Sequence, residues 1–422
     1  MSVKIISSII ADFHEGTIPD YSRRDYSIPL KSGKVVTITG PRRAGKTYLM
    51  YQLIDELLTN GISKKDIIYI NFEDERLIDI HADDILTAYL ELYPQKTLDN
   101  VYLFFDEIQV LDNWEKFIRR VYDQITGNIF ITGSNSSIYK DNLSSSLRGR
   151  SINYPVSTLS FRELLSFNNI NVNKKTTAIR RRINGLLNRY IEWGGFPEIV
   201  LADENIRLKI LQEYFDVMIF KDIIENYSLT NNLVIKHFLK KIINSYSKEF
   251  SVNKIYNELK SANVKTSKDA LYELLDIAVS VYFCQTVQQW KSGKRTINEL
   301  RKIYLSDVGY AKAVLMDYND MEGRIIENIV FNHINKYDVF YMRNSYEVDF
   351  LINKQDGIHA IEVTRSLTEE NFERETKMLE KLLNSNKVKK ASLIVKETFK
   401  AEMVTEINDI EIIRLSDFLL SS

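Results

Sequence analysis

The chain has 422 residues, more than one hydrophobic core usually organises, so two or three domains are expected. A hydrophobic share of 44% and a charged share of 27% exclude a chain dominated by disorder, and a formal net charge of -1 excludes a general polyanion binder, so any nucleic-acid surface must be local. The single cysteine, Cys284, excludes an internal disulfide and fits a reducing compartment; no run approaches a membrane span and "MSVKIISSIIADFHEG" is interrupted at Asp12, too early for a signal peptide, so a cytoplasmic protein with no membrane partner is expected.

In chain order, "KVVTITG" at 34–40 reads as an apolar, β-branched strand ending in Gly, and "KTYLMYQLIDELL" from Lys46 has helical spacing. The runs "DIIYINFED" (66–74), "VYLFFDE" (101–107) and "NIFITGS" (128–134) are separated by helix-length segments, the pattern of a parallel sheet buried on both faces. After about residue 175 the texture turns to long amphipathic helices, broken by "GGFP" at 194–197. Between 250 and 310 a helix, a turn, a second helix and two strands joined by "KSGKR" follow in winged-helix order. The last stretch gives a helix, three strand-like runs around Phe340, Asp349 and Glu362, a helix near 369–384 and the strand "ASLIVK", a second and smaller α/β unit.

"GPRRAGKT", Gly40 to Thr47, matches G-x-x-x-x-G-K-[ST] at every fixed position, between the strand and helix that this phosphate loop needs. Its glycines let backbone N–H groups turn onto phosphate oxygens, and the helix N-terminus adds partial positive charge. Gly40, Pro41, Arg42, Arg43, Ala44, Gly45, Lys46, Thr47 and Tyr48 are therefore expected to bind ATP, with Lys46 reaching the β- and γ-phosphates and the Thr47 hydroxyl on Mg²⁺. "VYLFFDEIQ" brings Asp106 to the end of a strand to hold Mg²⁺, and places Glu107 to polarise the attacking water.

With these motifs, and with "SSLRGR" and "GGFPE" further on, the chain resembles AAA+ type prokaryotic ATPases nearly from end to end. The resemblance implies that Ser134 or Asn135 senses the γ-phosphate and that Arg148 or Arg150 neutralises charge on the transferred phosphoryl group, in cis or from a neighbouring subunit of an oligomer. It also gives Pro197 an adenine-facing role in a helical lid, where the glycines before it make equal sense as a plain helix stop.

Between 231 and 302, thirteen Lys and Arg stand against six Asp and Glu, the asymmetry of a winged helix facing DNA. Lys265 and Lys268 open its second helix and Lys291, Lys294 and Arg295 tip the wing, whereas Asp269, Glu273 and Asp276 oppose deep insertion into a groove. The C-terminal unit resembles the restriction-endonuclease-like core, whose acids Glu327, Asp349 and Glu362 match in order and element type; Thr364 stands where that core has Lys, which leaves Lys377 or Arg365 as substitutes. Two carboxylates about 4 Å apart repel by about 4 kcal/mol at an effective dielectric of 20, so Asp349 and Glu362 need a cation, a proton or an arginine between them: Mg²⁺ or Mn²⁺ in a second metal site, or Arg343 or Arg365 in a scaffold.

The expected fold class is thus α/β: a P-loop parallel-sheet domain (1–165) with a helical lid (166–230), a winged-helix domain (231–310) and a small restriction-endonuclease-like α/β domain (311–422). The expected function is Mg²⁺-dependent ATP hydrolysis coupled to a partner, DNA or a protein. The alternatives are an ATP-gated metal-dependent nuclease of defence or repair and a slowly hydrolysing nucleotide-bound scaffold.

Overall fold

A computed structural model describes residues 2–78, 80–136, 147, 149–172, 176–290, 300–343, 347–385, 387–398, 406–407 and 409–421. They group into two compact units, one of residues 1–157 with 280–282, the other of 158–279 with 283–422.

The first unit is built on five strands, β1 (Val35–Thr39), β2 (Ile67–Asn71), β3 (Tyr102–Asp106), β4 (Ile129–Gly133) and β5 (Ser151–Pro155), all parallel in the order β2-β3-β4-β1-β5. Every residue of β1, β3 and β4 is buried, because both faces of the sheet are covered. Alternation along each strand divides the core: Phe104 stacks on Phe130 on the face packed by Leu49, Met50 and Leu53, whereas Phe105 faces Phe72 and Phe117 on the other. That second face is also covered by a helix at Ser2–Glu15, whose Ile6, Ile9 and Ile10 are buried; in the sequence this segment showed only as a short apolar stretch. The register aligns Thr39 with Gly133 and Asn71 with Asp106, so the strands deliver their C-terminal ends along one edge. In an open α/β sheet that edge is where ligands bind.

The second unit starts with helices, among them Thr177–Trp193, Glu204–Val217 and a wide π-helical stretch at Met218–Glu225. Its sheet comprises β6 (Lys248–Phe250), β7 (Cys284–Gln289), β8 (Arg301–Leu305), β9 (Asp338–Arg343), β10 (Glu347–Lys354), β11 (Gly357–Leu367), β12 (Lys390–Thr398), β13 (Glu406–Ile407) and β14 (Ile410–Arg414). The order is β13-β14-β12-β11-β10-β9-β7-β8-β6. The element sequence read from 231–310 occurs as helices Asn232–Asn244, Val252–Ser261 and Lys268–Ser280 with β6, β7 and β8; the wing tip at 291–299, with Lys291, Lys294 and Arg295, lies outside the described residues. β7 then pairs in parallel with β9, Gln288 opposite Phe340, so the strands of that segment and those of the C-terminal segment share one sheet.

"WGGFP" meets "SDVGY" in this unit. Asp307 accepts hydrogen bonds from Gly195 N at 2.8 Å and Gly309 N at 2.7 Å. Gly194 has φ +76°, and a Cβ there would lie 1.9 Å from Asp307 Oδ1; a Cβ on Gly195 would lie 2.4 Å from the Leu159 carbonyl oxygen. Close packing therefore accounts for both glycines, Gly194 against the buried Asp307 carboxyl and Gly195 against the Leu159 backbone, and Pro197 follows as the first residue of the helix Pro197–Leu201.

Candidate functional site

The phosphate loop runs from the end of β1 into the helix Lys46–Thr59. Arg43 and Gly45 are both left-handed, at φ 66° and 91°, and left-handed residues of this kind let a loop turn backbone N–H groups onto an anion. Gly40 is required by packing, since a Cβ there would sit 1.9 Å from the Val156 carbonyl oxygen. Arg42 pairs with Glu73 at 2.8 Å, and Tyr48 is 48% exposed.

Asp106, fully buried at the end of β3, gathers three hydroxyls: Thr47 Oγ1 donates at 2.7 Å, Tyr69 Oη at 3.3 Å, and Thr132 Oγ1 donates to the other carboxylate oxygen. Burial and the neighbouring Glu107 charge push the Asp106 carboxyl up, while Thr132, Thr47 and Lys46 pull it down. Glu107 behaves oppositely: burial would raise it, but Lys46, Gln109 and Arg42 together outweigh burial and hold it below the usual carboxylate range. Lys46 Nζ lies 3.2 Å from Glu107 Oε1 and donates to the Gly40 and Pro41 carbonyls, also at 3.2 Å.

Glu107 itself takes a left-handed backbone, φ 51°, with its N–H donated to Thr132 Oγ1 at 2.8 Å. Such a conformation at a non-glycine residue is costly and persists where the surroundings hold it. Gln109 Nε2 donates to Glu107 Oε2 at 2.6 Å and lies 3.5 Å from Ser134 Oγ, while its Oε1 is buried with no hydrogen-bond partner among the described residues. The loop, the acidic pair and the end of β4 thus meet at one edge of the sheet. Its donor set suits a hard cation and a polyphosphate: a hydroxyl and a carboxylate in contact, an ammonium, and the backbone N–H groups at the start of the helix.

Ser134 and Asn135 are both buried after β4. Arg150 Nε is held 2.9 Å from Asp123 Oδ1, and Arg148 lies outside the described residues. Sequence reasoning gave no role to Tyr69, Thr132 or Gln109. The first two lie on the strands flanking β3, Tyr69 in the middle of β2 and Thr132 next to the end of β4, and Gln109 stands in the quoted "DEIQ", so adjacency in the sheet was the signal available.

The three C-terminal acids do come together. Asp349 sits in an irregularity of the β9–β10 pairing, accepts from Val363 N at 3.1 Å and donates its own N–H to Glu362 Oε2 at 3.3 Å. The cation beside them differs from the expectation. Arg343 pairs with Glu249 at 2.7 Å and Arg365 with Glu322 at 2.6 Å; it is Lys302 of β8 whose Nζ lies 3.1 Å from Glu327, 3.2 Å from Asp349 and 2.8 Å from Glu347. Lys302 was counted in the basic surplus of the winged-helix segment, but it is buried and adds nothing to a DNA-facing surface. Its signal was legible: a lysine directly against the apolar run "IYL" of "RKIYL", an anomaly like the one that Glu362 presents in "HAIEVT".

The model of the AAA domain family matches residues 32–165, and that of a domain of unknown function, DUF8612, matches 184–320. With the loop and the acid pair placed as above, the first unit carries an AAA-type P-loop domain. The chain belongs to the family of the uncharacterized protein MJ1544 of Methanocaldococcus jannaschii, to which it is 39% identical over 379 residues, 88% of this chain and 83% of that protein. An uncharacterized protein of Haemophilus influenzae is 28% identical over 391 residues, 92% of this chain and 94% of its own length. Among solved structures, the Walker-type ATPase paby2304 of Pyrococcus abyssi aligns with TM-score 0.43 at 17% identity, covering 66% of this chain and 90% of that one. The Aeropyrum pernix ORC1 protein in complex with DNA aligns with TM-score 0.33 at 12% identity, covering 74% and 90%.

Proposed function

We propose that the protein binds ATP with Mg²⁺ at the loop of residues 40–48 and hydrolyses it. The observation that carries this reading is the meeting of Thr47 with Asp106 at 2.7 Å and of Lys46 with Glu107 at 3.2 Å, which sets a metal-ligating pair beside a cation and a base. Thr47 and Asp106 would hold Mg²⁺, which supplies charge neutralisation at the phosphates. The loop N–H groups and Lys46 bind the phosphate oxygens, and Lys46 exchanges its Glu107 and carbonyl contacts for them. Glu107, kept ionised at neutral pH, accepts a proton from the attacking water. Gln109 holds the carboxylate in place, and its Oε1, which has no hydrogen-bond partner among the described residues, offers that water a second acceptor. Ser134 or Asn135 serves at the γ-phosphate end, and Arg148 or Arg150 supplies the neutralising cation. ATP turnover with Mg²⁺ is the test: a wild-type protein that releases no phosphate above a Glu107→Gln control ends this reading.

The same reading couples nucleotide state to a partner, DNA or a protein. Support for DNA is local charge: Lys265 precedes and Lys268 opens the helix Lys268–Ser280, although Lys241 is already paired with Glu258 at 2.7 Å. Any such contact is to phosphates and therefore salt-dependent. A gel-shift titration at low and high salt decides it, and absence of binding at low salt excludes DNA.

A further inference from the structure

The acid cluster of the second unit combines three carboxylates that a metal-dependent nuclease core would use with a lysine such a core does not place there. Lys302 leaves β8 with its side chain 3% exposed and its ammonium against Glu327 Oε1, Asp349 Oδ1 and Glu347 Oε1. An ammonium has three donors and no acceptor, and here each faces a carboxylate oxygen. Spacings of 2.8 to 3.2 Å are those of charge-assisted N–H···O bonds, whereas Mg²⁺ draws six oxygens to roughly 2.1 Å.

Three further hydrogen bonds to these carboxylates come from the protein. Tyr304 Oη donates to Glu327 Oε1 at 2.7 Å, Asp349 Oδ2 accepts from Val363 N, and Glu362 Oε2 accepts from Asp349 N. The ring of Tyr341 lies with its centroid 5.6 Å from Lys302 Nζ, a cation–π contact that adds to the carboxylates around the ammonium. A divalent ion at this point would stand within contact distance of a fixed positive charge. The residues present therefore do not fit the Mg²⁺ or Mn²⁺ expected from the resemblance.

We infer that Lys302 is a built-in monovalent counter-ion that takes the place of a divalent metal among Glu327, Asp349 and Glu362, so that the native cluster binds no Mg²⁺ or Mn²⁺ and serves to clamp β8, the helix Glu322–Ile334 and β10 together. This does not depend on ATP hydrolysis by the first unit. Its corollary is chemical: exchanging the ammonium for a neutral chain of similar length turns the same carboxylates into a divalent-cation site.

Mn²⁺ binding to the full chain without nucleotide, counted by the loss of the free-ion EPR signal, tests it. A Mn²⁺ held at the phosphate loop is common to all variants and cancels. Wild type and Asp349→Asn are expected to bind the same number of ions, and Lys302→Met to bind one more per chain than Lys302→Met/Asp349→Asn. The inference is overturned if wild type binds an ion that Asp349→Asn lacks, if folded Lys302→Met gains none, or if wild type cleaves DNA with Mn²⁺ and loses the activity in Glu362→Gln. Should Lys302→Met fail to fold, the comparison of wild type with Asp349→Asn and Glu362→Gln still decides whether the native cluster takes a metal.

Discussion

Lys46 Nζ stands 3.2 Å from Glu107 Oε1, so the side chain expected on phosphate is paired with the expected base. Both are buried, and each neutralises the other's cost of leaving water. Glu107→Gln removes the ion that competes with phosphate for Lys46. Nucleotide affinity should hold or rise, while ATP turnover falls by roughly 10²- to 10⁴-fold, the range for loss of a general base. Calorimetry and phosphate release read the two separately. Lys46→Ala should lose nucleotide binding and also cost stability, about 3–5 kcal/mol for a buried charge left without its partner, so its melting temperature belongs beside its binding isotherm.

Gln109→Ala leaves Glu107 its pairing with Lys46 but frees one carboxylate oxygen. A hydrogen bond to a charged group is worth about 1.5–3 kcal/mol, so kcat should fall roughly 10- to 100-fold with KM for ATP little changed. If KM rises and kcat holds, Gln109 supports binding rather than the base.

Two glycine substitutions separate packing from flexibility in the second unit. Gly194→Ala drives a methyl into the Asp307 carboxyl from a left-handed backbone and should destabilise by about 3 kcal/mol or more. Gly185 lies inside the helix Thr177–Trp193, and a methyl added there would meet nothing within 4 Å, so Gly185→Ala should stabilise by about 0.5–1 kcal/mol. Equal effects in thermal melts would show that the Asp307 contact is not what requires glycine.

Burial pushes the Asp307 carboxyl up to about 6 from an ordinary 3.8, against the pull of hydrogen bonds from Thr158, Gly195 and Gly309. The folded state therefore holds the proton more tightly than the unfolded chain. The stability this contributes is complete below about pH 4 and is lost as pH rises through about 6, a change of roughly 3 kcal/mol for a shift of about two units. Asp307→Asn cannot ionise, so the melting-temperature advantage of wild type over this variant should shrink between pH 4.5 and pH 7.5. A constant difference would mean that the carboxyl is ionised throughout that range.

Local patterns carried much of the first unit. "KVVTITG", "VYLFFDE" and "NIFITGS" are strands because β-branched and aromatic residues in unbroken apolar runs suit a sheet covered on both faces, and the motif spacing tied Gly40 to Thr47 to a strand–helix junction. The helix Ser2–Glu15 and the strand Ser151–Pro155 escaped notice. One has its apolar face explained only by the sheet it covers, and the other is a half-buried edge without a long apolar run.

By itself the sequence determined the phosphate loop, the acid pair and the identity of the C-terminal acids, because spacing along the chain dictates which groups a short turn or strand end can present. Only the tertiary structure decided which distant groups answer them: Gln109 and Thr132 at Glu107, Asp307 beneath Gly194, and Lys302 among Glu327, Asp349 and Glu347. Such partners are selected by the burial of a charge that must be neutralised where it lies, and that requirement acts through space, across strands as far apart in sequence as β8 and β10.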